Sequence, residues 1–217
     1  MLVSHRYHFI YTKTIKTAST SVESYFERYC MPEGEWQQDI HRNEYDTAAG
    51  IIGQRGGQMR PEIRWWNHMP ARLIRDQLGD AIWSQYTKFC VIRHPFEKII
   101  SLFYFRRTNG WITVDQGASD AVQFQNWLIS SPEHIFDRDM FMIDGQLCMD
   151  FFIRYESLEH DLQELSKRLG LPAGAVLPRY KSHQRPATGL AETLHTEATK
   201  KRVRELYAFE FQTFGYV

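Results

Sequence analysis

The amino-acid sequence predicts an α/β fold, three layers deep, with helices on both faces of a central parallel sheet. Two observations carry that expectation. Short runs rich in β-branched and aromatic residues alternate with segments of helical period along the chain. The first two strand-like runs are each followed by a helix-like one, with cationic or hydroxyl side chains in the turn between. Size and composition agree. At 217 residues, 43% hydrophobic and 24% charged, the chain suffices for one sizeable core. Residues 1–217 are therefore read as a single domain.

Each element has its own signal. "YHFIY", residues 7–11, reads as a short strand. From Thr20 the period becomes helical, with Val22, Tyr25, Phe26 and Tyr29 at spacings of three and four. Residues 32–62 are rich in glycine, polar groups and turns, and read as irregular with a short hairpin near 50–57. A helix follows from Pro70, carrying Ala71, Ile74 and Leu78 and ending at Gly79. Residues 89–92 read as a second, buried strand. Pro95 then opens a helix whose apolar side is Phe96, Ile99, Ile100 and Phe103. A loop over 108–119 precedes a helix near 120–129. "DFFIRYE" is a third strand, and Ser157 caps a helix striped by Leu158, Leu162, Leu165 and Leu169, stopped by Gly170 and Pro172. A final helix covers 196–207.

Charge and cysteine content exclude several classes. Lys and Arg number 26, Asp and Glu also 26, so no global field favours nucleic acid or an anionic membrane, and any cationic site is local. Cys30, Cys90 and Cys148 are odd in number, widely spaced and without a CxxC pair, which argues against a disulfide framework and against structural zinc. Cys90 lies in an apolar run and reads as a buried thiol. No apolar stretch of about 18 residues and no signal-peptide core is present. The expectation is a reduced, soluble, cytoplasmic protein without a metal.

Two turns carry chemistry. The first is "KTASTS", residues 16–21, between the first strand and its helix. A phosphate-type anion needs donors on several sides. Here backbone amides, a helix N-terminus, the Lys16 ammonium and the hydroxyls of Thr17, Ser19, Thr20 and Ser21 are together. The alternative is a solvated turn in which Thr20 or Ser21 only caps the helix. It is not a Walker A loop, because GxxxxGK[ST] is absent. Lys13 competes with Lys16 for the cationic role. The second turn is "RHPFEKIIS": Arg93 leaves the strand end, and Ser101 lies off the apolar stripe at i, i+4 from Glu97. Together these two can clasp a second phosphate; alone they are a surface arginine and a passive helical serine.

The sequence resembles the sulfotransferases that use 3′-phosphoadenosine 5′-phosphosulfate, especially the carbohydrate-type, family 2-like branch. "IKTASTS" is similar to their PKTGGTS loop and "RHPFEKIISLF" to RDPFERxxSxY. "FIRYESLEHDLQELSKRLGL" is similar to R[FY]ExLxxDxxxLxxxLGL, and "YAFEFQTFGY" to a terminal helix finishing DFxxFGY. These likenesses run in the family's order over most of the chain. Ile15 stands where proline is usual, and Ala18-Ser19 where glycines are usual. A positive φ at either of the latter would cost about 1–2 kcal/mol.

The resemblance implies a P-loop nucleotide-kinase-like form of the fold. It implies that Lys16 and the turn, including Ala18, bind the 5′-phosphosulfate, and that Arg93 and Ser101 bind the 3′-phosphate. It also implies an adenine pocket to which Tyr155, Lys181 and Arg185 contribute, the alternative for "YKSHQR" being a solvated basic connection. In sulfuryl transfer, as in phosphoryl transfer, positioning and electrostatics dominate, and Lys16 is placed to neutralise the growing charge on the bridging oxygen. His68 in "WWNHMPARLI" is the candidate base for the acceptor hydroxyl, with Glu62 as a carboxylate alternative. A merely hydrogen-bonded His68 is the competing reading. Trp36, Trp65, Trp66 and Trp111 lie in or beside segments 32–66 and 108–119, where a hydroxylated small-molecule or glycan acceptor would be read. The rival readings are a nucleotide kinase with an unusual phosphate loop and a nucleotide-binding module without catalysis.

Overall fold

The computed structural model describes residues 1–58, 60–113, 115, 117–130, 136–178, 180 and 193–217. Two compact units divide the chain, Met1–Ile92 with Phe136–Tyr180 and Arg93–Ile135 with Lys181–Val217.

The first unit is built on a six-stranded sheet. In chain order its strands are β1 (Leu2–Ser4), β2 (Phe9–Tyr11), β3 (Tyr45–Thr47), β4 (Gly50–Ile52), β5 (Thr87–Ile92) and β8 (Phe151–Arg154). Their spatial order is β3-β4-β1-β2-β5-β8. The expected parallel sheet is corrected here to a mixed one. β2, β5 and β8 run parallel, whereas β1 pairs antiparallel with β2 and β4, and β3 antiparallel with β4. Linker length is the physical reason. Only residues 5–8 join β1 to β2 and only 48–49 join β3 to β4, and such short links permit nothing but antiparallel pairing. The three residues of β1 are too few to show a period, so the sequence gives no sign of them. The hairpin expected near 50–57 sits instead at β3–β4. Gly50 is required there, because a Cβ would run into the Val3 carbonyl of β1.

Alternation along the strands separates two apolar layers. Leu2, Phe9, Tyr11, Ile52, Phe89 and Ile153 face Val22, Phe26, Leu162 and Leu165 of helices α1 (Ser19–Glu27) and α6 (Leu158–Arg168). Val3, Ile10 and Ile51 face the opposite side. There they pack with Trp65, Met69, Ala71, Ile74 and Trp83, from and around α2 (Ala71–Leu78) and α3 (Asp80–Gln85). The unit is thus three-layered. A two-stranded ribbon, β6 (Met142–Ile143) and β7 (Gln146–Leu147), completes it.

The second unit is helical. Helices α4 (Pro95–Thr108), α5 (Asp120–Ser130) and α7 (Glu197–Leu206), with the short α8 (Ala208–Phe214), enclose Ile99, Ile100, Phe103, Phe124, Leu128 and Val203. His94, which carries no sequence expectation, is the N-cap of α4: its Nδ1 accepts from the Phe96 amide at 3.3 Å.

Candidate active site

The turn after β2 lies where the sheet changes from antiparallel to parallel. The Thr12 amide donates to the Phe89 carbonyl at 3.0 Å, extending the pairing with β5 by one residue. Thr14 Oγ1 donates to the Val91 carbonyl at 2.5 Å, and the Ile15 amide donates to Asp137 Oδ2 at 2.8 Å. The chain then alternates in hand. Lys16 has φ 60°, Ala18 has φ 59°, and Thr17 between them lies outside the positive region. Such alternation turns successive backbone N–H groups toward one concave side, an anion nest. Ala18, one of the glycine replacements, therefore takes the left-handed conformation, at about 1–2 kcal/mol. It is also the N-cap residue of α1, and its carbonyl accepts from the Ser21 and Val22 amides. The nest thus abuts the positive end of a nine-residue helix.

The hydroxyls differ in what they offer. Thr17 is buried, with Oγ1 2.8 Å from Thr14 Oγ1. Since the Thr14 proton goes to Val91, the Thr17 hydroxyl donates inward to Thr14, and its contribution to an anion is the backbone amide. Ser21 Oγ accepts from the Tyr180 amide at 3.2 Å, and Ser19 is buried beside it, its carbonyl accepting from the Tyr11 hydroxyl. Lys16 and Thr20 are half-buried.

Beneath the turn lies a charge network that the sequence reading missed. Glu23 and Glu27, one turn apart on α1, are both fully buried. Glu23 receives the Lys13 ammonium at 2.6 Å, the Met1 amino group at 3.0 Å and Arg55 at 2.7 Å. Glu27 receives Arg55 and also Arg42, the latter at 3.1 Å. Burial alone would raise the Glu23 carboxyl, but Lys13, Met1 and Arg55 hold it well below the usual carboxylate range. The available signal was the i, i+4 carboxylate pair in a helix otherwise filled with Val22, Tyr25 and Phe26.

Lys13 is 1% exposed, and its ammonium also donates to Asn67 Oδ1 at 3.1 Å. His68 follows. Its Nδ1 lies 2.9 Å from the Lys13 carbonyl, which can only accept, so Nδ1 carries the proton and Nε2 the lone pair. Burial, reinforced by the Lys13 cation, lowers the imidazole to about 4. The ring is therefore neutral, and able to take a proton, throughout the neutral range. The residues just before it are pinned. The Asn67 amide donates to the Gln54 carbonyl, and Trp65 Nε1 to Asp46 at 2.9 Å.

The remaining sequence-predicted groups fall as follows. Tyr155, half-buried, directly follows β8. Glu62 is exposed, and Trp65 at 1% exposure is core rather than an acceptor surface. Trp66 is half-buried against the same core, and Trp36 lies under Arg28, with ring centre and guanidinium 4.2 Å apart. In the second unit Arg93 is buried and paired with Glu97 at 3.2 Å, Ser101 is half-buried one turn further along α4, and Trp111 is 67% exposed. Lys181 and Arg185 lie outside the described residues. No helix among the described residues is long and apolar enough to cross a membrane.

Comparison with known proteins gives the family. The model of the Sulfotransferase family matches residues 1–217. An uncharacterized protein of Archaeoglobus fulgidus is 29% identical over 105 residues, covering 48% of this chain and 84% of that protein. No solved structure matches. The chain belongs to the sulfotransferase family.

Proposed function

We propose that this family member moves the sulfuryl group of 3′-phosphoadenosine 5′-phosphosulfate to a hydroxyl of a small-molecule or glycan acceptor. The observation that carries the reading is the left-handed backbone at Lys16 and Ala18 directly before the N-terminus of α1, a form that backbone anion nests take. Strain of that kind persists at sites where a ligand uses it.

The roles follow from charge. The turn and Lys16 bind the phosphosulfate, in a P-loop-like manner but without the Walker lysine. The acceptor oxygen forms a bond to sulfur as the bond from sulfur to the bridging oxygen breaks. The proton of the acceptor hydroxyl passes to His68 Nε2, and the negative charge gathering on the 5′-phosphate is met by Lys16 and the amides. Arg93 and Ser101 are assigned to the 3′-phosphate, which does not react, and Tyr155, Lys181 and Arg185 to the adenine side, by resemblance. The three free thiols support a reducing, cytoplasmic setting. No step in this scheme calls on a metal.

The test has two parts. Adenosine 3′,5′-bisphosphate should stabilise the fold by about 2.7 kcal/mol at 100 times its dissociation constant, with no effect of EDTA on the gain. A larger gain from ATP would favour a kinase. Labelled sulfate should then move from the donor to at least one member of a panel of glycans and small alcohols. Nucleotide stabilisation without transfer to any of them would make the chain a binding module.

A further inference from the structure

We propose that Lys13, Asn67 and Glu23 are positioning residues for His68, holding the Lys13 carbonyl where it accepts a hydrogen bond from Nδ1–H, so that Nε2 is the atom left to face the acceptor hydroxyl. The proposal deepens the reading of His68 as the base and rests on it.

The geometry is a closed ring. The Lys13 carbonyl meets His68 Nδ1 at 2.9 Å, His68 is the chain neighbour of Asn67, and Asn67 Oδ1 meets the ammonium of the same Lys13 at 3.1 Å. One residue therefore grips both members of the dipeptide, by its backbone and by its side chain. The ring is anchored by Glu23, which binds that ammonium at 2.6 Å and is itself fully buried. A buried ion pair with further hydrogen bonds has one geometry and departs from it at high cost.

A second observation is independent of the hydrogen bonds. His68 has φ 55°, in the left-handed region. Strain of this sort survives only when the surroundings over-determine it, and the ring does so. Without it the imidazole could rotate or exchange tautomers.

The ring also sets the charge around the imidazole. Lys13 enters from the turn after β2, the Met1 amino group from before β1, and Arg55 from after β4; Glu23 of α1 binds all three. Three cations around one carboxylate leave the surroundings of His68 positive, which favours the neutral ring. Burial acts most strongly in that sense, then the Lys13 ammonium and the Met1 amino group; the hydrogen bond to the Lys13 carbonyl and the Glu23 carboxylate act against it. The imidazole is thereby neutral, with its proton on Nδ1 and its lone pair on Nε2, and correspondingly a weaker base than an unperturbed histidine.

Two measurements on the full chain test this. The nitrogen chemical shifts of His68, assigned by their loss in His68→Gln, report the tautomer without any turnover. The acidic limb of the pH–rate profile reports protonation. Wild type should show a single tautomer with Nδ1 protonated. Lys13→Met removes a cation, and Asn67→Asp adds an anion at the ammonium with one atom changed. Lys13→Met should mix the tautomers and move the acidic limb upward by roughly one pH unit; Asn67→Asp, which keeps the oxygen that accepts from the ammonium, should move the limb upward by a similar amount with the tautomer unchanged. A folding defect in Lys13→Met would leave the limb of Asn67→Asp to decide. An unmoved limb in the folded variants, with an unchanged tautomer in Lys13→Met, would overturn the proposal, since a merely structural role moves neither. Full turnover in His68→Gln would instead remove the base from the mechanism, while the nitrogen shifts still decided whether the ring positions His68.

Discussion

Lys13 and Lys16 lie three residues apart, and the protein surrounds them in opposite ways. Lys13 points into the core, where its ammonium donates to Glu23 and to Asn67. Lys16 sits half-buried on a strained turn among converging amides, next to the positive end of α1. A cation matched by a buried carboxylate contributes to the structure. A cation beside a nest of N–H groups adds to positive potential, and that favours an anion from outside. Lys13 is thus a buried member of the Glu23 network, whereas Lys16 is the lysine to which the proposed reaction assigns the phosphosulfate.

Exchanging the two losses would break this contrast. Lys13→Ala should destabilise the fold by about 3–5 kcal/mol, the range for breaking a buried pair, as read by urea unfolding. Lys16→Ala should fold normally, and its single-turnover rate should fall by about 100- to 1000-fold, with a smaller loss of nucleotide affinity by calorimetry. A stable Lys13→Ala protein with no turnover, beside an active Lys16→Ala protein, would reverse the assignment.

A pH series sharpens the comparison. His68 titrates at about 4 in the folded chain against its ordinary value of about 6.5. Between those values the unfolded chain takes up a proton that the folded chain refuses. Stability is therefore lost as pH falls from about 6.5 to 4, by up to about 3 kcal/mol. Glu23, whose folded value is depressed, adds its loss lower, from about pH 4.5 downward. Denaturant unfolding at pH 7, 5.5, 4 and about 2.5 should show both windows. His68→Gln should shrink the upper one, to which His5 and His195, also lowered by burial, contribute, and leave the lower intact; an unaltered upper window would remove His68 from it.

The smallest effect concerns the turn itself. Ala18→Gly relieves the left-handed strain, so it should stabilise the fold by about 1 kcal/mol, net of the extra freedom glycine has when unfolded. Thermal unfolding would show a rise of a few degrees for that change. A drop in stability would mean that the Ala18 methyl group is packed rather than strained.

How much of this was legible in the sequence depended on range. Local signals were read correctly where period or punctuation was strong: the Pro70-to-Gly79 helix, the Pro95 helix start, the Ser157–Gly170 helix. The turn at 16–21 stood out because its residue types are unusual together. What failed was short or distant. β1 has three residues, and strand direction in a mixed sheet is decided by linker length rather than by residue pattern. The Glu23 network joins residues 1, 13, 23 and 55, and no window along the chain contains the reason for its charges. Asp137, which fixes the Ile15 amide from 122 residues away, could not be found at all from the sequence.

That distance has a consequence for the order of assembly. The turn takes its shape from Phe89, Val91 and Asp137, all far along the chain. Contacts of such separation form only after long loops have closed, and they slow folding. A nascent chain that has emerged only as far as α3 carries the whole KTASTS stretch and its local bonds, but not these three distant partners. Anion-binding competence should therefore arrive late in synthesis, with the strand that begins at Thr87 and the residues that follow Phe136.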